Sequence, residues 1–380
     1  MRVLFWVQHL LGIGHARRAA AIARALGAAG AEVTIAQGGF DVPGIDHGGA
    51  RIAALPPCRA ADGTFKTLLD AAGRPVDAAW REARAAALLR LYAAVRPDVL
   101  LLETFPFGRR MFRFELLPLL ERAAGDGVPA VASVRDVLVA KGRADREREM
   151  AELARRHFAR VLVHGDPKLI PFERTFPPAA AIADLIRYTG YVAAKPPPDA
   201  GTDGAGEVVV SVGGGAVGLP LLRAALAARP LTPLAAAPWR LLAGPDVPEA
   251  DFAALRAAAP PGVVVERARP DFPALLARCR LSVSQAGYNT LMDLLRARCP
   301  AVVVPFAAGG ESEQPLRAAL LAERGAVHVV EEAALSPESL AAGIARAVAA
   351  APPPPLDLAL DGAAASARLI LDLARPAAPR

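Results

Sequence analysis

Cysteine, aromatic residues and long apolar stretches are all scarce in this chain of 380 residues, and each shortage excludes something. The three cysteines, Cys58, Cys279 and Cys299, stand far apart and match no metal-ligand spacing, so no metal centre is expected and a reducing cytoplasm fits. Aromatic residues make up 5% of the chain, and no dense basic tract is interleaved with them. The net charge of +6 therefore reads as the bias of an Ala-, Arg- and Pro-rich chain, not as a nucleic-acid surface. No window reaches the ~18 unbroken apolar residues that a membrane-spanning helix needs. The N-terminal stretch MRVLFWVQHLLGIGHARR is interrupted by glycines, runs into basic residues and lacks a small-residue cleavage site, so it reads as a core strand and not as a signal peptide. Missing motifs narrow the field further. There is no G-x-x-x-x-G-K-[ST] for a P-loop, no third glycine for a dinucleotide fingerprint at the first turn, and no G-x-S-x-G elbow. No cofactor is expected.

What the chain does have is apolar: 53% of its residues are hydrophobic. They fall in short continuous runs separated by Ala/Leu/Arg segments at helical spacing. The runs are 3–7, 32–36, 99–103, 130–134, 160–165, 207–213, 239–244, 262–266, 281–287, 301–306 and 326–330. Continuous rather than alternating apolar strands, with helices between them, predict parallel sheets covered on both faces. The expected class is α/β, twice over, since the length suits two domains of roughly 150–200 residues. A Pro-, Gly- and Asp-rich stretch at 191–206 reads as a linker. The expected division is thus 1–190, the linker, 207–362, and a last helical segment, 363–380, that crosses back onto the first domain.

Each half opens alike, with a strand, a glycine-rich turn and an Ala/Leu helix: VLFWVQHLLGIGH before ARRAAAIARAL, and VVVSVGGGAVG before LPLLRAALAA. Glycines let a backbone approach a ligand closely, and a helix N-terminus offers free N–H groups and the positive end of a dipole to an anion. The same glycines also suffice for tight strand-to-helix turns, but two copies favour two ligand-facing sheet ends and a site between the domains.

The most specific stretch is Leu281 to Val327. In it LSVSQ leads into Ala-Gly-Tyr-Asn-Thr, a helix with Asp293, a second strand AVVVPF, and a polar loop ending in Glu313-Gln314 before another helix. The order and spacing of Gly287, Thr290, Asp293, Pro305 and Glu313-Gln314 resemble the nucleotide-sugar-binding half of GT-B glycosyltransferases, family 28 in particular. The resemblance extends to the first half through GIGHARRAAAIARAL, RPDVLLLE and YTGYV. It implies two Rossmann-like domains facing a cleft, and transfer of a sugar, with inversion, from a nucleotide diphosphate sugar, with uridine as the expected base, to an acceptor that is a small molecule, a glycan or a lipid-linked compound. It also implies a cytoplasmic protein, with peripheral contact at the inner membrane face as an added expectation. Two departures stand out. Asp293 is shorter than the family's usual glutamate, and the first turn reads Gly-Ile-Gly-His in place of Gly-Gly-His. That variant resembles the sugar-nucleotide hydrolases of pseudaminic acid biosynthesis, which deliver water to the anomeric carbon, so hydrolysis stays open as an alternative, as does donor binding without turnover.

Residue roles follow. On the donor side, Gly213, Gly214, Gly215, Gly287, Asn289 and Thr290 are expected at the diphosphate, where helix ends rather than a cation supply positive potential. Asp293 is expected at the ribose diol and Glu313 and Gln314 at the sugar hydroxyls. His15, with a pKa near neutrality, is the leading general base, and Glu103, at the end of a strand, is the alternative base or an acceptor contact. Gly12, Gly14, Arg18, Arg109, Arg110, Arg135 and Asp136 complete the acceptor side. The segment Phe105 to Phe114 mixes phenylalanines with Arg109, Arg110 and Arg113, which suits a lipid or anionic contact, or a helix packing its Phe face on the core.

Overall fold

The computed structural model of the chain describes residues 1–10, 14–42, 44–61, 67–138, 143–193, 201–213, 218–308 and 311–373. Gly12, Gly214 and Gly215, and most of the stretch between Ala193 and Gly201, lie outside the described residues. The chain divides into two units, Met1–Val192 with Leu358–Arg380, and Ala193–Asp357.

The first unit runs β1 (Arg2–Val7), α1 (Gly14–Ala28), β2 (Glu32–Gln37), β3 (Arg51–Ala54), the short pair β4 (Arg59–Ala60) and β5 (Leu68–Leu69), α2 (Ala78–Val95), β6 (Val99–Glu103), α3 (Arg113–Gly125), β7 (Ala130–Arg135), α4 (Ala144–His157), β8 (Arg160–His164) and β9 (Ile186–Tyr188). Its seven-stranded sheet has the order β3-β2-β1-β6-β7-β8-β9 and every pairing in it is parallel. The alternation along β1 shows why its apolar run is continuous. Val3, Phe5 and Val7 pack on one face with Ala19, Ile22, Ala23 and Leu26 of α1. Leu4 and Trp6 pack on the other with Leu88 and Tyr92 of α2 and Phe112, Leu116 and Leu119. Helices on both faces leave no polar side for this strand, and each such side chain, fully buried, contributes roughly 1.5–3 kcal/mol.

The second unit runs β10 (Val208–Ser211), α5 (Leu219–Ala228), β11 (Trp239–Ala243), α6 (Glu249–Ala258), β12 (Val263–Arg267), α7 (Phe272–Arg278), β13 (Leu281–Gln285), α8 (Tyr288–Ala297), β14 (Ala301–Val304), α9 (Glu313–Glu323), β15 (His328–Val329) and α10 (Pro337–Ala349). Its sheet order is β12-β11-β10-β13-β14-β15, again all parallel. This is the doubly wound arrangement. The last helix, α11 (Gly362–Leu371), belongs to the first unit, where Ala367 and Ile370 join the α1 face of the core. The close approach is steric as well as apolar, because a Cβ on Gly362 would stand 2.4 Å from the Gly190 carbonyl oxygen.

The α/β class and the continuous apolar strands are therefore as expected from sequence. The phenylalanine-rich segment resolves to its core reading: Phe105, Phe107 and Phe112 are buried, and Phe107 packs edge-on against Phe172 and Phe176 at 5.5 and 5.3 Å between centroids. Those rings are not available to a lipid surface. Among the described residues no helix is long and apolar enough to cross a membrane.

Candidate active site

In open parallel sheets, ligands bind beyond the carboxyl ends of the strands where the winding direction reverses. The sheet orders put that reversal between β1 and β6 in the first unit and between β10 and β13 in the second. Most of the sequence-derived candidates lie on the loops and helix starts that follow these four strands.

In the first unit, β6 ends in Glu103 and α1 begins at Gly14, bringing His15 and Glu103 together from 88 residues apart. His15 Nδ1 lies 3.0 Å from Glu103 Oε1 and 3.2 Å from Thr104 Oγ1. Arg18, one helical turn beyond His15, donates through Nη2 to the same carboxylate oxygen. The other oxygen, Oε2, accepts from Ser133 Oγ at 2.6 Å. Ser133 is followed by His164, whose Nε2 is 2.8 Å from Ser133 Oγ, and by Thr189, whose Oγ1 is 3.0 Å from His164 Nδ1. Since each hydroxyl has a single proton, a consistent assignment has Thr189 donating to His164, His164 to Ser133 and Ser133 to Glu103. The chain crosses the strand ends of β6, β7 and β8 and finishes just after β9.

Electrostatics follow from burial. Burial pushes the Glu103 carboxyl up, but the Arg18 charge, with hydrogen bonds from His15 and Ser133, more than offsets it and holds the group below the usual carboxylate range. Glu103 is fully buried and ionised. His15 is pushed down to about 3, first by burial and then by the charge of Arg109, against the opposing hydrogen bond to Glu103. The near-neutral pKa expected from sequence is therefore not what this environment gives, and the imidazole is neutral at neutral pH. The carboxylate is the strongest acceptor within reach of Nδ1, so it fixes the proton there and leaves Nε2 with its lone pair. Glu103 is thus the group that orients His15. It is fully buried and ion-paired with Arg18.

The remaining acceptor-side candidates separate. Arg109 donates from Nε to the Gln8 carbonyl at 2.9 Å and makes no ion pair among the described residues. Burial lowers its pKa to about 10, with Glu103 opposing and Arg135 and Arg18 adding to the fall. Arg109 and Thr104 both hold left-handed backbone, at φ 58° and 72°. For non-glycine residues this is strained, and here it brackets the loop beside His15. Arg135 ends β7, half-buried, and its charge is felt at His15. Arg110 turns away to Glu149 on α4, at 3.5 Å. Asp136 is fully buried, and its Oδ2 accepts from Tyr191 at 2.9 Å.

In the second unit, Gly213 follows β10 at φ 67°, a backbone state that requires glycine, and its N–H donates to Ser211 Oγ at 3.3 Å. Gly287 caps α8, and no side chain caps that helix start. Among the described residues a Cβ placed on Gly287 would meet nothing within 4 Å, so they leave the space before the helix open. Asn289, the buried Thr290 and the half-buried Asp293 lie on the first turns of α8. Gln314 reaches back across the loop after β14, where its Oε1 accepts from the Phe306 N–H at 3.1 Å. Glu313 is buried, and its carboxylate accepts from Arg317 at 3.0 Å, while the Arg317 guanidinium stacks 5.1 Å above the Tyr288 ring. The start of α9 is thereby tied to the start of α8. No group of three or more His, Cys, Asp or Glu side chains suited to a metal ion occurs among the described residues.

Sequence reasoning missed the roles of Thr104, Ser133, His164 and Thr189. Thr104 directly follows β6, His164 ends β8 and Thr189 directly follows β9, but nothing in the sequence joins residues of different strands. Arg317 carried no comparable signal, since it is one of many arginines on Ala-rich helices.

Residues 209–355 match the glycosyltransferase family 28 C-terminal domain. A curated UDP-N-acetylglucosamine–N-acetylmuramyl-(pentapeptide) pyrophosphoryl-undecaprenol N-acetylglucosamine transferase from Synechococcus sp. (strain CC9902) is 32% identical over 151 residues, 38% of this chain. The matched part spans about two fifths of that relative, 39% of its length. Among solved structures, the spinosyn rhamnosyltransferase SpnG complexed with thymidine diphosphate aligns with a TM-score of 0.61 at 23% identity, covering 98% of this chain and 96% of that one. MurG of Acinetobacter baumannii aligns with a TM-score of 0.58 at 15% identity, covering 98% and 99%. With two doubly wound parallel sheets and these likenesses, the chain has the GT-B fold, and residues 209–355 of its second unit match the family 28 C-terminal domain.

Proposed function

We propose that this protein transfers a sugar from a nucleotide diphosphate sugar to an acceptor hydroxyl, with inversion at the anomeric carbon and with His15 as general base. The observation that carries the reading is the His15–Glu103 contact at 3.0 Å, backed by Arg18 and Ser133. In the proposed step His15 Nε2 takes the acceptor proton as the acceptor oxygen bonds to the anomeric carbon. The bond from that carbon to the diphosphate breaks on the opposite face. The imidazolium that forms is stabilised by the Glu103 carboxylate behind it, so the pair acts as a unit.

The donor belongs to the second unit. The uncapped start of α8 and the turns at Gly213 and Gly287 would offer N–H groups and a positive helix end to the diphosphate, whose charge grows as the bond breaks. Asn289 and Thr290 would add side-chain contacts. Asp293 would accept from the ribose diol, and Gln314, with Glu313 held by Arg317, would set the sugar. The SpnG structure holds thymidine diphosphate, which supports a nucleoside diphosphate as leaving group here. The Synechococcus relative is named for a UDP sugar, which supports uridine as the base. The acceptor belongs to the first unit, where Arg109 and Arg135 add positive charge beside His15 and suit an acceptor with an anionic group. We propose that no metal takes part.

Hydrolysis is the second reading, favoured by the Gly-Ile-Gly-His turn with Arg18 three residues after His15. Incubating the protein with a panel of nucleotide diphosphate sugars separates the two, with free sugar and nucleotide followed by mass spectrometry and EDTA added in one arm. Rapid release of free sugar without acceptor would favour hydrolysis. Donor binding with negligible release, and turnover on adding acceptors, supports transfer. Binding with no turnover under any condition would leave a sugar-nucleotide-binding protein, and no binding at all would overturn the proposal.

A further inference from the structure

Two thiols 20 residues apart in sequence meet in the second unit, with their sulfurs 3.1 Å apart. Cys279 caps α7 and Cys299 follows α8, and each stands two residues before a strand. Those strands, β13 and β14, pair in parallel from Ser282 and Ala301. The sulfurs already touch, so closing the bond brings them from 3.1 Å to the ~2.05 Å of a disulfide. Both thiols are free, Cys279 is half-buried, and Cys299 is 4% exposed.

We propose that Cys279 and Cys299 form a reversible intramolecular disulfide when the protein meets a low-molecular-weight disulfide. The more exposed Cys279 thiolate attacks one sulfur of the oxidant, forming a mixed disulfide and releasing one small thiol, which takes up a proton. The Cys299 sulfur then displaces the second small thiol, which leaves with the remaining proton. Two protein thiols are oxidised and one small disulfide is reduced to two thiols. The hydrogen bond with Cys279, together with burial, pushes the Cys299 thiol up, so Cys279 leads the exchange, and Cys299 acts second because its sulfur is already in contact with that of Cys279. Cys58 stays out of the exchange, because it is fully buried in the first unit, where its sulfur meets Gln8 and Arg84 and not a second thiol.

The bracketed segment contains β13, the Gly287 turn and the whole of α8, and with them Asn289, Thr290 and Asp293. Closing this loop removes conformations from the unfolded chain and stabilises the segment. The cysteines sit at the amino ends of the strands and the glycine turn at the carboxyl end of β13, so the link leaves the turn's surroundings unchanged. This inference does not depend on the proposed sugar transfer.

The test treats the full chain with oxidised glutathione, then reads intact mass, peptide map and melting temperature. The expected product is lighter by two hydrogens, carries a Cys279–Cys299 cross-linked peptide, melts higher than the reduced chain and reverts with dithiothreitol. Cys299→Ser should stop at a glutathione adduct on Cys279. A wild-type chain that stops at that adduct, cross-links through Cys58, or leaves both thiols free would overturn the proposal, and the peptide map decides this even if the variant folds poorly.

Discussion

His15 owes its neutrality to burial and to Arg109, and it owes its orientation to Glu103. The first property has a pH consequence. His15 and His164 are both pushed down to about 3 from 6.5, largely by burial, so the unfolded chain binds protons that the folded one refuses. By linkage their contribution to stability is complete above about pH 6.5 and is lost progressively toward pH 3. Glu103 acts in the same direction, its lowered pKa giving stability above the usual glutamate range that is lost as pH falls. Urea midpoints measured from pH 8 to pH 4 should therefore fall on the acid side, with a shallower fall in His164→Gln. A midpoint independent of pH over that range would contradict this. The second property is tested by Glu103→Gln. Removing the carboxylate strands Arg18, whose side chain is 2% exposed, and should cost about 3–5 kcal/mol in urea unfolding. Turnover should fall by roughly 10²–10⁴ as the proton on Nδ1 loses its anchor.

At the scale of elements, two glycines near helix starts separate packing from ligand approach. Gly218 caps α5, and a Cβ there would stand 2.0 Å from the Val212 Cβ, so Gly218→Ala should destabilise by about 1–3 kcal/mol. Gly287 has ordinary φ and open space, so Gly287→Ala should fold with stability within about 0.5 kcal/mol of the wild type. It should nevertheless bind nucleotide diphosphate more weakly in calorimetry, because the methyl fills the space before α8. Equal affinities would move the diphosphate elsewhere. Ten strands of four to six residues, β1, β2, β6–β8 and β10–β14, were legible because helices cover both faces of the parallel sheets, which leaves an apolar signature such as Val99–Glu103. β9, three residues at the sheet edge, carried too short a run. The polar chain from Glu103 to Thr189 was illegible for another reason: its members come from successive strands, and only the parallel pairing of β6, β7, β8 and β9 brings them side by side. The same adjacency joins Cys279 to Cys299, which by sequence spacing alone match nothing.

For the whole molecule, the two units hold different halves of the proposed chemistry, and α11 ties the end of the chain to the first. Ile370 is fully buried among α1 and β1 side chains, so Ile370→Ala should cost about 2–5 kcal/mol and speed hydrogen exchange in α1 and β1. Exchange in the second unit should be unchanged, and equal acceleration in both would mean that the units unfold as one. The central claim is that the first unit supplies the proton acceptor for a donor held by the second. The measurement that tests it most directly pairs donor affinity with turnover for wild type and His15→Ala, on whichever nucleotide diphosphate sugar binds best. The account predicts an unchanged donor Kd and turnover lower by roughly 10²–10⁴ in the variant. Turnover that survives the loss of His15 would contradict it.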